Sequence, residues 1–191
     1  TNEDTNHTFA ASEFNFTDVD GDSLDHISIE TLPSNGTLLL SGNAVSAGDQ
    51  ISVANISNLV FRPVANANGD DYDTFTFSVN DGTVDSGTYT MTIDVTAVND
   101  APLATDDADA VNEDATITES SGSELLVADD TDTDGNTLTV TQIAITGGSN
   151  SSVTSSTTYS NGTSITGTYG TLTVGANGSY TYVADQSASD D

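Results

Sequence analysis

Lysine is absent from this 191-residue chain, arginine occurs once (Arg62), and there is neither cysteine nor tryptophan. Each absence closes a class of function. Without cysteine there is no disulfide, no thiolate nucleophile and no zinc–sulfur centre. Without basic clusters there is no surface that could neutralise phosphates, so nucleic acid is excluded as a partner. An anionic bilayer would repel the chain for the same reason. No apolar run approaches the roughly 18 residues that a membrane-spanning helix needs, so direct membrane insertion is not expected, and no signal peptide opens the sequence. Against the single arginine stand 30 acidic residues, for a net charge of −29. Charge of one sign destabilises a compact state unless counter-ions screen it. Adaptation to saline surroundings would scatter the acids evenly, whereas here they are clustered. The partners left open are metal ions, basic proteins and neutral sugars.

Helical periodicity is also scarce, and period-two alternation bounded by Gly, Asn and Asp takes its place. Strands are expected at 7–11, 26–32, 36–40, 58–63, 73–79 and 87–98. Phe75, Phe77 and Val79 alternate with Thr74, Thr76 and Ser78. Tyr89, Met91, Ile93 and Val95 alternate with Thr88, Thr90, Thr92 and Asp94. One apolar and one polar face per strand is the pattern of an antiparallel sandwich. Pro102, in Asn99-Asp100-Ala101-Pro102, stops the last of these strands. Beyond it strands are expected at 103–110, 115–119, 137–146, 170–174 and 179–183, with Gly175-Ala176-Asn177-Gly178 as a hairpin turn. The fold class that follows is all-β, two tandem antiparallel Greek-key β-sandwiches over residues 1–100 and 101–191.

The two halves repeat. Asn2-Glu3-Asp4 matches Asn112-Glu113-Asp114, and Gly36-Thr37-Leu38 matches Gly170-Thr171-Leu172. The stretch from Thr17 to Leu24 matches that from Thr131 to Leu138. Leu59–Asp71 matches Tyr180–Asp191. Residues 147–168, rich in Ser, Thr and Gly, lengthen the second copy and are expected as an extended loop or flexible hairpin. On this alignment the first copy lacks the strand ahead of its Asn-Glu-Asp, and the second lacks its last two strands. The sequence thus reads as a segment of a longer protein.

Asp18-x-Asp20-Gly21-Asp22 and Asp130-x-Asp132-x-Asp134-Gly135-Asn136 place acids and an amide at alternate positions of a turn. Such spacing can converge hard oxygen donors on one point, which suits Ca²⁺ with its 6–8 oxygen ligands. A helix-loop-helix calcium loop does not fit, because its twelfth position is Thr141 and both flanks read as strands. Two carboxylates about 5 Å apart repel by roughly 0.8 kcal/mol in water and about four times that at an effective dielectric of 20. A divalent cation would relieve that repulsion; Asp-Gly pairs also make ordinary turns.

These loops resemble those of bacterial cadherin-like repeats, as do the Asn-Glu-Asp motifs, Ser78-Val79-Asn80-Asp81-Gly82 and the linker Val98-Asn99-Asp100-Ala101-Pro102. The second half is similar to the VCBS type, through Gly170-Thr171-Leu172-Thr173 and Gly178-Ser179-Tyr180-Thr181-Tyr182. Such repeats belong to large calcium-dependent adhesins of the RTX type, exported by type I secretion. The resemblance implies a cadherin/Ig-like sandwich and calcium held at a domain junction. The implied junction ligands are Glu3, Asp4, Asp71, Asp73, Asn99, Asp100, Asp130, Asp132 and Asp134, with Asn136 as an amide ligand. Asp18, Asp20 and Asp22, and Glu113 with Asp114, belong to incomplete outer sites. The implied function is a non-enzymatic spacer at the bacterial cell surface or outside the cell. Calcium would rigidify it into a rod, with neighbouring repeats of the same polypeptide as its partners.

The alternative is a carbohydrate-binding module, for which Tyr72 or Tyr159 could contact a polysaccharide. An enzyme is not expected: His7 and His26 lie in strand patterns without a nucleophile beside them. Arg62 is expected on an outer face in a solvent-exposed ion pair.

Overall fold

The computed structural model describes residues 1–122 and 129–185. The chain divides into two compact units, Thr1–Val98 and Asn99–Asp191.

The first unit is a sandwich of two four-stranded sheets. One contains β1 (His7–Thr8), β6 (Leu59–Pro63), β3 (Gly36–Leu40) and β4 (Asn43–Ala44), in that spatial order. The other contains β5 (Gln50–Ser52), β2 (His26–Ile29), β7 (Gly69–Asn80) and β8 (Tyr89–Val95). All ladders are antiparallel, with Leu38 opposite Phe61, Ile27 opposite Val79 and Phe75 opposite Met91. The alternation read in β7 holds: Phe75 and Phe77 are buried and Val79 reaches the same core. They meet Leu38, Leu59 and Phe61 of the facing sheet, and Ile27, Ile29, Ile93 and Val95 of their own. Removing this apolar surface from water is the main drive for the fold. Rings meet edge-on within it, Phe9 on Phe75 at 5.7 Å and Phe14 on Phe77 at 4.9 Å.

Several expected boundaries shift. The strand expected over 7–11 ends at Thr8, because the chain turns into a 3-10 helix at Ala11–Phe14 that drives Phe14 into the core. A second 3-10 turn, Val53–Asn58, does the same for Ile56. The strand expected from Asp73 begins at Gly69, and its register against β8 shifts between Gly69 and Asp73. Asp71 sits in that shift with φ 49°. Tyr89, expected inside, is 58% exposed at the start of edge strand β8. Gly36 admits no side chain: a Cβ there would overlap the Phe61 ring.

In the second unit, β12 (Thr163–Thr166), β13 (Gly170–Val174), β14 (Tyr180–Ala184) and β9 (Thr116–Glu119) form one antiparallel sheet in that order. β10 (Gln142–Ile143) and β11 (Ser151–Ser152) pair separately. The expected hairpin is present: Gly178 donates to the Gly175 carbonyl at 3.0 Å, and Gly178 has φ 80°. Buried among the described residues are Val153, Val174, Ala176 and Tyr180, with the polar Thr157 and Ser179. Those two are fully engaged. Thr157 Oγ1 donates to the Thr154 carbonyl and accepts the Ala176 amide, while Ser179 Oγ donates to Asn177 and accepts the Tyr159 amide.

Three expectations for this unit are corrected. No strand covers 103–110; Leu103 makes a lone bridge to Thr131, and Asp106, Asp107 and Asp109 crowd the segment with like charge. The strand expected over 137–146 contracts to β10. The stretch 147–168, expected as loop or hairpin, supplies β11 and the sheet-forming β12. The expected match of Leu59–Asp71 to Tyr180–Asp191 runs beyond Asp185, outside the described residues. Among the described residues no helix is long and apolar enough to cross a membrane.

Candidate metal-binding loops

In the second unit the acidic turn is built on one carboxylate. Asp132 Oδ1 accepts the amides of Asp134 and Asn136, both at 3.0 Å, while Gly135 takes φ 70° and donates to the Asp132 carbonyl. Asp134 Oδ2 accepts the Asp100 amide at 2.7 Å, and Asn136 Nδ2 donates to Asn99 Oδ1 at 2.6 Å. Asn99 Nδ2 in turn donates to the Asp100 carbonyl. Asp132, Asp134 and Asn136, singled out by spacing, and Asn99 and Asp100, implied by the resemblance, therefore share one hydrogen-bonded constellation. Asp130 stands slightly apart, its Oδ1 accepting the Thr105 amide at 2.8 Å. A groove of about 530 Å³ runs beside the turn, lined by Asp130, Asp132 and Asn136 on one side and Ser156, Ala176 and Asn177 on the other.

The first unit repeats the turn. Asp18 Oδ1 accepts the amides of Asp20 and Asp22 at 2.8 and 3.0 Å. The two Asn-Glu-Asp motifs also share a shape. Asp4 and Asp114 have φ 54° and 59°, and the following amides, of Thr5 and Ala115, return to the carbonyls of Asn2 and Asn112. Asp and Asn tolerate this left-handed conformation better than most residues. Glu113 and Asp114 are exposed, whereas Glu3 is buried.

The carboxylates of Glu3, Asp4 and Asp73 are each engaged within the first unit, and Asp71 is held there through its main-chain amide. Glu3 Oε1 accepts the Val98 amide and Oε2 the Asn68 side chain, and these bonds hold its carboxyl below the ordinary carboxylate value. Asp4 Oδ1 accepts the Asn66 amide. The amide of Asp71 is held by Asp94 Oδ1. Asp73 is buried, its Oδ2 accepting the Asn35 amide at 2.7 Å and Oδ1 those of Ser34 and Thr74. Where a metal ligand was expected at Asp73, the carboxylate anchors the turn into β3. The partners Asn66, Asn68 and Asp94 were not foreseen.

Asp81 also holds a turn together. Its Oδ1 accepts the Thr83 hydroxyl and the amides of Thr83 and Val84, which lowers its pKa. Asp107 behaves in the opposite way: burial, then the charges of Asp129, Asp130 and Asp106, push its carboxyl up.

Residues weighed for other chemistry are engaged elsewhere. His7 Nε2 lies 2.9 Å from Glu13, and His26 Nδ1 2.9 Å from Asp25. Tyr72 packs against the core and donates its hydroxyl to the Asn35 carbonyl, and Tyr159 is half-buried. Arg62 is exposed as expected, but no ion pair joins it to a described residue.

The side chains of Asn99, Asp100, Asp132, Asp134 and Asn136 carry carboxylate and amide oxygens, which suit a hard cation, although several of these oxygens accept N–H groups of the same constellation. Among the described residues no three acidic or histidine side chains stand grouped as a metal cage. The two asparagine amides would therefore have to complete the donor set.

Comparison with curated proteins and with solved structures gave no match. The family model described as the bacterial Ig domain matches residues 1–95, which is the eight-stranded sandwich of the first unit. Residues 1–95 are thus similar to the bacterial Ig domain, within an all-β architecture of sandwich-like domains.

Proposed function

We propose that the chain is a calcium-binding structural repeat of a bacterial cell-surface or secreted adhesin of the cadherin-like, RTX type. In this reading Ca²⁺ stiffens the connection around Asn99 and Asp100, and neighbouring repeats of the same polypeptide continue the rod. Bacterial Ig-like domains are generally structural rather than enzymatic and typically occur in surface or extracellular proteins. Support comes from one observation above all. The turn built on Asp132 and the residues Asn99 and Asp100 are joined by short hydrogen bonds, so that oxygen-bearing side chains far apart in sequence lie in one neighbourhood.

Asp132 and Asp134 would hold the ion as carboxylates, with the amide oxygens of Asn99 and Asn136 and the side chain of Asp100 as further donors. When bound, calcium supplies charge neutralisation and a fixed geometry for the segment. A chain of net charge −29 gains from both.

Calorimetric titration with Ca²⁺ tests the reading. The expected result is saturable binding to the full chain, weakened at least about tenfold by Asp132→Ala and by Asp134→Ala, as loss of a carboxylate ligand implies. Small-angle scattering should show a stiffer particle in calcium than in chelator. Absent binding, or an affinity in both variants equal to that of the unaltered chain, would overturn the assignment.

A further inference from the structure

Asparagine stands directly before glycine three times, at Asn35-Gly36, Asn161-Gly162 and Asn177-Gly178. Such a pair carries latent chemistry. The glycine nitrogen can attack the side-chain carbonyl carbon of the asparagine, and glycine leaves room for the approach because it has no Cβ. Three conditions favour the attack: a glycine amide that is not tied up, donors on the oxygen that becomes negative, and a leaving nitrogen that nothing holds.

Asn161-Gly162 meets all three. Thr158 N donates to Asn161 Oδ1 at 2.8 Å, and the Thr158 hydroxyl donates to the same oxygen at 3.3 Å. Ser160 Oγ lies 2.9 Å from Thr158 Oγ1, so its own proton can fill that contact and leave the Thr158 proton aimed at Asn161. Two donors on one carbonyl oxygen are the arrangement that stabilises a developing oxyanion. Asn161 is exposed to water, and neither its Nδ2 nor the Gly162 amide bonds a described residue. The other two pairs fail. Asn177 Oδ1 also receives two donors, from Ser179, but the Gly178 amide is committed to the Gly175 carbonyl at 3.0 Å and Gly178 is buried. Asn35 is pinned on every side. Its amide goes to Asp73, its carbonyl accepts the Tyr72 hydroxyl and the Val64 amide, and its Nδ2 is held by the Tyr72 carbonyl at 3.2 Å.

We propose that Asn161 is a self-modifying site, converted to aspartate and isoaspartate through a cyclic imide that Gly162 closes. The Gly162 nitrogen gives its proton to solvent base and bonds to Asn161 Cγ, while the two Thr158 donors hold Oδ1. The Cγ–Nδ2 bond then breaks, and ammonia departs with a proton from water. Water next opens the imide. Cleavage of the bond from the Gly162 nitrogen to Cγ leaves aspartate, and cleavage at the main-chain carbonyl leaves isoaspartate. Nothing is oxidised or reduced, and water is the reactant consumed. Each event adds a negative charge, and the isoaspartyl product inserts a methylene into the backbone just ahead of β12. The assignment does not depend on calcium.

The test holds the full chain in mildly alkaline buffer made with heavy-oxygen water and follows it over time by peptide mass spectrometry. Label should enter position 161 at least about tenfold faster than Asn35 or Asn177, which serve as controls in the same digest. In urea the three positions should converge, because the fold no longer distinguishes them. Thr158→Ala removes the hydroxyl donor at an exposed position, so circular dichroism should show the fold retained. Conversion at 161 should nevertheless slow about tenfold, the worth of one hydrogen bond to a developing charge. Simple surface mobility would leave that variant unchanged or faster. Equal rates at the three positions in the folded chain would overturn the proposal. So would a Thr158→Ala variant that converts as fast as the unaltered chain.

Discussion

Glu3 Oε1 accepts the amide of Val98 at 2.6 Å, tying the beginning of the first unit to its end across 95 positions of sequence. Its other oxygen holds Asn68 at 3.0 Å. The side chain is a clasp for the sandwich, and its charge strengthens both bonds.

Glu3→Gln should therefore lower the melting temperature of the first unit by several degrees at pH 7, read by thermal circular dichroism. The dependence on pH has a definite sign. The folded carboxyl titrates below its ordinary value of 4.5, so its stabilisation is complete above about that pH. It is lost as pH falls through the depressed folded value. The gap between wild type and Glu3→Gln should thus close on acidification.

Asp107→Asn should act in the opposite direction. Burial and three neighbouring acids raise this carboxyl, so ionising it costs the second unit stability as pH rises above the ordinary value of 3.8. The variant is expected to melt above the wild type at pH 7, with the difference disappearing below about pH 4. Added salt should also narrow the difference by screening the acids.

Asp73→Ala separates anchoring from metal binding. It removes the acceptor of the part-buried amides of Ser34, Asn35 and Thr74, and because water reaches these residues the loss is about 1–3 kcal/mol in total. Urea unfolding should show that loss, while Ca²⁺ uptake by the second unit stays unchanged.

Gly36→Ala tests the packing of β3 on β6. The added methyl would overlap the Phe61 ring, which is fully buried. Overpacking of this sort costs about 1–3 kcal/mol. Phe75→Ala, which empties the same core, should cost about 3–5 kcal/mol in urea unfolding.

The alternation Phe75, Phe77, Val79 announced a buried face because a pleated strand sends every second side chain the same way, whatever it packs on. The turn built on Asp132 was legible for a similar reason. An aspartate that caps the amides two and four residues ahead needs only local sequence, and the Asp18 turn forms in the same way. Tyr89 was misread because alternation does not reveal where a sheet ends. The segment 103–110 was misread because apolar spacing says nothing of whether a sheet edge is there to receive it.

Local chemistry in the sequence thus determined the all-β character, the inward faces of the long strands and the shape of the acidic turns, since each depends on neighbours a few residues away. Tertiary structure alone decided what the isolated acids do. Glu3 serves Val98 and Asn68, and Asp73 serves Asn35, while Asp134 meets Asp100. A carboxylate accepts any donor the fold brings within about 3 Å, and that choice is made by chain closure over tens of residues.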